Sequence, residues 1–376
     1  MDENPFTAPA RPRIIVGLPH LSDGALLANA ERNGWPVMVS ASSLAKWQTL
    51  EHRGQKTRQW TGWNSRPLDR MTERDVEIHL DSAGFVAMAL RGGYDWTPES
   101  YVWDLASHPA ISRFSSMDMC VEPEVAPDRT EVRERIARTI SLNRRCSRAA
   151  HDIGANDRFM PVIQGATARD YLSCYEALAD IVPSHGTIGV GSMCRRPTST
   201  PDGSIAIVEA LDSELPKNIT LHLFGVKSDS YEAMAMFGSR IASVDSQSYG
   251  TRARCLANEK RKTDPAFSKT DAFVAGVMSQ WHARQSARFD SPRPFHRQTS
   301  LPIEAEDAPS TVLDAAILKA RMQISDLIED GGMDHDAIVG PRMLEEWVAD
   351  ILQDLAPGVG PTDPWQGEWQ IPERVD

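Results

Sequence analysis

Short apolar runs recur along the first 250 residues of the chain and alternate with stretches of helical character. Eight of these runs are typical of buried strands, at 13–18, 36–40, 76–80, 114–117, 159–163, 187–190, 219–224 and 241–244. Helices are predicted between and after them, at 23–33, 98–106, 130–152, 168–181, 205–214, 230–238 and 270–288. This regular alternation predicts an α/β fold, a (β/α)8 TIM barrel.

Residues 53–75 interrupt the alternation between the second and third strands. They carry Trp60, Trp63, Arg58 and Arg66 in a polar context with glycine and proline, which predicts an irregular excursion rather than a packed helix. The two tryptophans could stack on nucleic-acid bases or pack on the barrel, and the sequence leaves both interpretations open.

The last part of the chain has a different composition. Four prolines lie between 290 and 311 and predict a linker, followed by amphipathic helices near 310–329 and 341–355. We therefore expect a barrel domain at 1–290 and an acidic, proline-rich linker with a helical extension at 291–376.

The net charge of −12 is unevenly distributed. Residues 291–376 carry 6 Lys and Arg against 17 Asp and Glu, which leaves 34 basic and 35 acidic residues in 1–290. The nearly neutral body does not exclude a nucleic-acid substrate. The acidic extension is better suited to docking a protein partner than to contacting DNA.

Other features of the composition indicate a cytoplasmic protein. No run of apolar residues is long enough to span a membrane, and the first residues lack the apolar core of a secretory signal. The five cysteines are scattered without a Cys-x-x-Cys pair, which is typical of reduced thiols.

Polar residues and glycines stand at the ends of the predicted strands. They are Ser40, Asp81, Asp118, Gln164, Gly191, Gly225 and Asp245. Active sites of TIM barrels are built from the carboxyl ends of the strands. We therefore expect these residues to surround one mouth of the barrel.

Asp81 and Asp245 are the strongest pair in this set. Two facing carboxylates suit displacement at an anomeric carbon, where one attacks carbon and the other handles the proton of the leaving group. Each could equally cap a helix or bind an arginine, and the pair alone does not decide between these interpretations.

Asp118 and Gln164 follow neighbouring strands and could read the edge of a purine. The carboxylate accepts N–H donors, and the amide offers one donor group and one acceptor. Taken alone, this pair is better explained as two ordinary polar residues at the ends of strands. Gly191 and Gly225 would allow close approach of a flat ring, or serve simply as turn glycines.

Six segments resemble, in order, the motifs of the tRNA-guanine transglycosylases. Together they span residues 76–254 and include the four candidate polar residues. The segments are Leu80-Asp81-Ser82-Ala83-Gly84-Phe85, Met117-Asp118-Met119-Cys120-Val121-Glu122-Pro123, Val162-Ile163-Gln164-Gly165, Ile188-Gly189-Val190-Gly191-Ser192-Met193, Leu223-Phe224-Gly225-Val226, and Val244-Asp245-Ser246 with Thr251-Arg252-Ala253-Arg254.

The resemblance implies base exchange at a nucleoside, with guanine leaving and a 7-deazaguanine, such as 7-cyano-7-deazaguanine, replacing it. By this resemblance Asp245 is the nucleophile on C1′ and Asp81 is the general acid and base. The remaining matched positions would hold the base: Asp118, Gln164, Gly225 and the backbone of Gly191, Ser192 and Met193.

The sequence also departs from the tRNA enzymes. Their Cys-x-Cys-x-x-Cys…His zinc site is reduced to Cys255 and His282, too few for a four-ligand site, so we expect no metal and no other cofactor. Ala83 replaces a glycine of the first motif. These departures resemble the DpdA-type DNA branch, found in bacteria and phages, and favour DNA over tRNA. A catalytically inactive nucleic-acid-binding subunit is the alternative from another functional class.

Clustered cations predict where phosphates would bind, although solvated charged loops explain them as well. The candidates are Arg195, Arg196, Arg252, Arg254, Lys260, Arg261 and Lys262. In a duplex, the target guanine would have to be flipped out of the stack.

Overall fold

A computed structural model describes residues 11–52, 55–123, 125–194, 196–198 and 200–294, and eight later positions: 316, 317, 319, 320, 323, 347, 348 and 351. Its strands are β1 Arg13–Leu18, β2 Val37–Ser40, β3 Ala45–His52, β4 Gln55–Trp63, β5 Ile78–Asp81, β6 Ile111–Ser115, β7 Phe159–Met160, β8 Val162–Ile163, β9 Thr187–Val190, β10 Thr220–Leu223 and β11 Ile241–Ser246.

Nine of these strands form one parallel sheet, in the order β7-β6-β5-β2-β1-β11-β10-β9-β8. β7 and β8 are successive pieces of one strand, interrupted at Pro161, which has no N–H to donate. β7 pairs with β6 and β8 pairs with β9, so the two ends of the sheet meet. The result is an eight-stranded (β/α)8 barrel, as predicted.

Helices follow the strands and cover the outside of the barrel. They are α1 Ala25–Arg32, α2 Arg66–Asp69, α3 Gly84–Arg91, α4 Pro98–Ser100 with a π-helical turn Tyr101–Ala106, α5 Arg129–Asp152, α6 Ala168–Glu176, α7 Ser204–Glu214, α8 Tyr231–Met234, α9 Ser248–Thr263 and α10 Asp271–Phe289. Short 3-10 turns occupy Ala41–Leu44, Ser228–Ser230 and Ala235–Arg240.

Local signals account for where the longer helices begin. Asp128 caps α5, because its carboxylate accepts the N–H groups of Thr130 and Glu131. Thr167 and Asp170 form a reciprocal capping box at the start of α6. The main core lies between the strands and this helical layer, where Val16, Val39 and Leu80 are fully buried.

The prediction of an irregular excursion at 53–75 is wrong for much of that segment. β3 and β4 form an antiparallel hairpin with Trp47 opposite Trp60. Only one face of this hairpin packs on the protein, so it lacks the continuous apolar run by which buried strands were recognised. Helices α3 and α9 were also not predicted.

The predicted C-terminal helices lie mostly outside the described residues. Those that are described are helical, and they reach the barrel through Gln323. Its Oε1 accepts hydrogen bonds from Trp347 Nε1 at 2.8 Å and from Arg254 Nη1 of α9 at 3.1 Å. The domain boundary at 290–291 stays a prediction.

Candidate active site

Because the barrel strands are parallel, their carboxyl ends meet at one mouth, and the predicted polar residues lie there. Asp81 ends β5, Asp118 follows β6, Gln164 follows β8, Gly191 follows β9, and Asp245 lies within β11. The opposite, amino-terminal end surrounds a cavity of about 710 Å³ lined by other side chains, among them Glu77 and Lys217.

The Asp81 carboxylate is held at the turn after β5. Its Oδ2 accepts the N–H of Ala83 at 2.9 Å, and Ala83 has a left-handed backbone with φ of 71°. Burial raises the pKa of Asp81 to about 6 against the lowering effect of the Ala83 N–H, with a smaller contribution to the rise from the charge of Asp245. Asp81 ends β5 and Asp245 lies near the end of β11, so both carboxylates stand at the same mouth of the barrel.

Asp245 is fixed through one carboxylate oxygen. Its Oδ1 accepts the N–H of Gly225 at 2.9 Å. Gly225 has φ of 60°, and a Cβ there would lie 2.8 Å from Cβ of Cys194, so glycine is favoured on two grounds. This turn aims a backbone donor at the carboxylate.

His222 is a neighbour of Asp245 that the sequence prediction missed. The imidazole lies on β10, is 1% exposed, and places Nε2 3.4 Å from Oδ1 of Asp245. Its Nδ1 lies 2.8 Å from the hydroxyl of Ser243. Nε2 has no hydrogen-bond partner within the described residues.

Asp118 and Gln164 contact each other directly. Gln164 Nε2 donates to Oδ2 of Asp118, and the Ser82 hydroxyl donates to Oδ1 at 3.1 Å. The phenol of Tyr94 donates to the backbone oxygen of Asp118 at 2.9 Å. Burial raises the pKa of Asp118 to about 7, against the lowering effect of the Gln164 hydrogen bond, with Asp81 adding to the rise.

Gly191 and Ser192 shape the far side of this pair. A Cβ on Gly191 would lie 2.1 Å from Gln164 Nε2, so the glycine makes room for the amide. The Ser192 hydroxyl lies 2.7 Å from Gln164 Oε1 and 3.0 Å from Glu122 Oε2. The side chain of Met193 is fully buried in the core. Only its backbone can therefore face a ligand.

Glu122 was not singled out from the sequence as a site residue. It is 4% exposed and reaches Ser192 from the loop after β6. Together with Gln164 and Asp118, these residues form one continuous polar row. The row runs along the mouth from the loop after β6 to the loop after β9.

The predicted phosphate ligands fall into two groups. Arg196 directs its five N–H bonds to the backbone oxygens of Ser192, Ala166, Asp202 and Gly165 and to the Tyr171 hydroxyl. Arg195 lies outside the described residues. Their role towards phosphate stays a prediction.

The other predicted cations lie on α9. Arg252 and Arg254 are half-buried in its first half. Lys260 stands 5.3 Å from the ring centre of Phe267, Arg261 donates to the Phe267 backbone oxygen, and Lys262 pairs with Glu259 at 2.6 Å. The last three are exposed at the end of the helix.

Within the described ranges, no three His, Cys, Asp or Glu side chains are grouped to hold a metal ion. Cys255 lies on α9, and His282 of α10 stacks on Trp35 with ring centres 4.0 Å apart. In the same ranges, no helix is long and apolar enough to cross a membrane.

A family model described as DpdA, DeoxyPurine in DNA protein A, matches residues 68–301. The chain belongs to the DpdA family. The matched residues run from just before β5 to beyond α10 and include every candidate from Asp81 to Asp245. The β3–β4 hairpin precedes the DpdA match. A search of curated protein sequences found no match.

Proposed function

We propose that the protein is a DNA guanine transglycosylase that exchanges guanine for a 7-deazaguanine base through a covalent bond to Asp245. One observation carries the proposal: the carboxylates of Asp81 and Asp245 stand at the carboxyl ends of two strands, at one barrel mouth that also presents the Asp118–Gln164 pair. Membership of the DpdA family supports DNA as the substrate.

In the first half of the reaction, a carboxylate oxygen of Asp245 attacks C1′ of the deoxyribose. Gly225 N–H holds Oδ1, which leaves Oδ2 to form the new bond. The C1′–N9 bond breaks and its electron pair leaves with guanine. Asp81, whose raised pKa of about 6 retains a protonated fraction near neutral pH, gives its proton to the departing base.

In the second half, the incoming 7-deazaguanine passes its N9 proton to the Asp81 carboxylate. N9 then attacks C1′, and the bond to Asp245 breaks with its electrons returning to the carboxylate. Each displacement inverts C1′, so the product retains the original configuration, as in retaining glycosidases.

The Asp118–Gln164 pair suits the edge that both bases share. Guanine presents an acceptor at O6 and donors at N1 and N2. The Asp118 carboxylate can accept from N1 and N2, and the amide nitrogen of Gln164 can donate its second hydrogen to O6. A 7-deazaguanine differs at position 7 and keeps this edge, so one pocket serves the leaving and the entering base. In duplex DNA this edge is paired, so the guanine must be flipped out before it enters.

The decisive experiment is incorporation. Purified protein is incubated with 7-cyano-7-deazaguanine and, in separate arms, with plasmid DNA or tRNA, the nucleic acid is digested, and the modified nucleoside is measured by mass spectrometry. Asp245→Asn is the matched control, because it keeps the shape of the side chain and removes the nucleophile. We expect modified DNA with the wild-type protein and none with the variant.

Four results would contradict the proposal. Modification of tRNA without modification of DNA would show that the substrate is wrong. Loss of guanine without replacement would indicate a hydrolase. Full activity of Asp245→Asn would exclude Asp245 as the nucleophile, and no activity in any arm would favour a binding subunit.

A further inference from the structure

We propose that the hairpin formed by β3 and β4 is a DNA-gripping arm that contacts the duplex beside the extruded guanine. The inference rests on the proposed function for its substrate, but it concerns residues 45–63, which precede the family match. The hairpin would form a second surface for DNA at the rim of the active site.

The base of the hairpin is firmly anchored. Trp63 packs edge-on against Trp96 at 4.9 Å between ring centres, and its Nε1 donates to the backbone oxygen of Ser100 at 3.2 Å. The guanidinium of Arg91 lies 4.7 Å from the ring centre of Trp47 and 5.4 Å from that of Trp96. These contacts fix the direction in which the hairpin leaves the barrel.

The anchor is continuous with the candidate base pocket. Trp96 contacts Tyr94 at 5.7 Å between ring centres, and Tyr94 hydrogen-bonds to the Asp118 backbone. The hairpin begins one short turn after Ser40, which pairs with Asp81 across β2 and β5. A duplex that delivers its guanine to Asp118 therefore passes next to this arm.

The charge of the hairpin is opposite to that of the chain. Residues 45–63 carry Lys46, Arg53, Lys56 and Arg58 against one acidic residue, Glu51, in a protein of net charge −12. Two of these cations, Lys46 and Arg58, are exposed, and their side chains make no hydrogen bond or ion pair with any residue that the structure describes. Unpaired surface cations on a two-stranded ribbon suit a DNA backbone and its major groove.

Polar and apolar side chains share the outward face of the arm. Gln48 and Gln59 lie opposite each other across the two strands and are exposed. Leu50 is 39% exposed on the same face, away from the packed Trp47. Glutamines can bind base edges, and an exposed leucine can wedge between bases as one of them leaves the stack.

The first test measures duplex affinity of the full chain. A Lys46→Ala, Arg58→Ala double variant is compared with Lys217→Ala, which removes an exposed cation from the opposite end of the barrel. Binding of a fluorescent duplex is followed by anisotropy over a salt series. We expect roughly tenfold weaker binding for the double variant, with the slope of log affinity against log salt reduced by about 1 to 2. Lys217→Ala should match the wild type.

The second test uses Leu50→Ala with 2-aminopurine placed beside the target guanine. We expect a smaller fluorescence rise on binding, because the wedge that separates the bases is lost. Thermal unfolding of the double variant and of Leu50→Ala should match the wild type, since the side chains of Lys46, Arg58 and Leu50 are exposed.

Wild-type affinity and salt slope in the double variant would overturn the proposal, as would a wild-type protein that does not bind the duplex.

Guanine exchange distinguishes this proposal from the proposed function. If the wild type binds DNA through the hairpin but exchanges no base, the proposed function fails and the hairpin is supported. If the wild type exchanges the base and the double variant has an unchanged KM for DNA, the hairpin proposal fails and the function stands.

Discussion

Nε2 of His222 lies 3.4 Å from Oδ1 of Asp245, inside a barrel whose interior excludes the imidazole from solvent. The hydroxyl of Ser243 contacts the other ring nitrogen at 2.8 Å. Nε2 makes no hydrogen bond with a described residue, so its approach to Oδ1 is a close packing contact beside the proposed nucleophile. The Gly225 N–H approaches the same oxygen.

We expect His222→Phe to lower kcat for base exchange by about 10-fold to 100-fold, because Asp245 loses a group that orients it for attack. KM for DNA should change little, since His222 is buried beneath the mouth. His222→Gln keeps a polar side chain beside Asp245 and should recover part of the rate. Steady-state kinetics with labelled guanine measures both constants. An unchanged kcat in His222→Phe would show that the imidazole only fills space.

The space beside Gly191 gives a second prediction. A Cβ at this position would lie 2.1 Å from Gln164 Nε2, so Gly191→Ala must displace the amide from Asp118. We expect the KM for the incoming base to rise by at least about tenfold, with a stability loss of about 1–3 kcal/mol from overpacking.

Gly276→Ala is the matched control for that variant. Nothing lies within 4 Å of a Cβ at this position in α10, so the same change should be neutral or slightly stabilising. Exchange kinetics and denaturant unfolding measure the two effects. If Gly191→Ala binds the base as the wild type does, the amide is not held where the structure places it.

The barrel and the position of its mouth could be predicted because strand ends leave a local signal. Asp81 and Gln164 each follow a short apolar run directly. His222 and Glu122 could not be found in this way. A histidine within an apolar strand is more often a core residue, and Glu122 reaches Ser192 across 70 positions of sequence. The sequence alone does not contain such a contact.

Two other features show the same limit of prediction from the sequence alone. Gly191 was predicted either to allow close approach of a flat ring or to serve as a turn glycine, and the sequence did not indicate that Gln164 lies where a Cβ at this position would be. The second strand of the hairpin lies in the segment 53–75, which was predicted as irregular because its residues are polar with glycine and proline, and Trp47 and Trp60 mark only one side of the hairpin. In both cases the cause is packing between segments that are distant in sequence, which hydrophobic periodicity does not report.

The raised pKa of Asp118, about 7, makes stability depend on pH. A carboxyl whose pKa is higher in the folded state stabilises the fold at acidic pH. This contribution is lost as pH rises from the unfolded value, about 4, through about 7. We expect Asp118→Asn to be more stable than the wild type at pH 8 by about 1–3 kcal/mol, and the difference to shrink towards pH 4.

Denaturant unfolding at several pH values measures this difference. The same variant should lose base exchange, because an amide cannot accept both donors of the guanine edge as the carboxylate does. Such a trade of stability for activity is typical of functional sites. If Asp118→Asn is less stable than the wild type at pH 8, burial of the charged Asp118 carboxylate does not destabilise the fold.

Arg196 gives the last prediction, because its guanidinium can serve either the fold or a phosphate. Four of its N–H bonds are directed to backbone oxygens of the loops around Gly165, Ser192 and Asp202, and the fifth to the Tyr171 hydroxyl of α6. Lys has only three donors, without the planar fork. We therefore expect Arg196→Lys to lower the free energy of unfolding by about 2–4 kcal/mol. The salt dependence of DNA binding should stay that of the wild type, in contrast to the Lys46, Arg58 double variant. A salt slope reduced by about 1 with unchanged stability would instead identify Arg196 as a phosphate ligand.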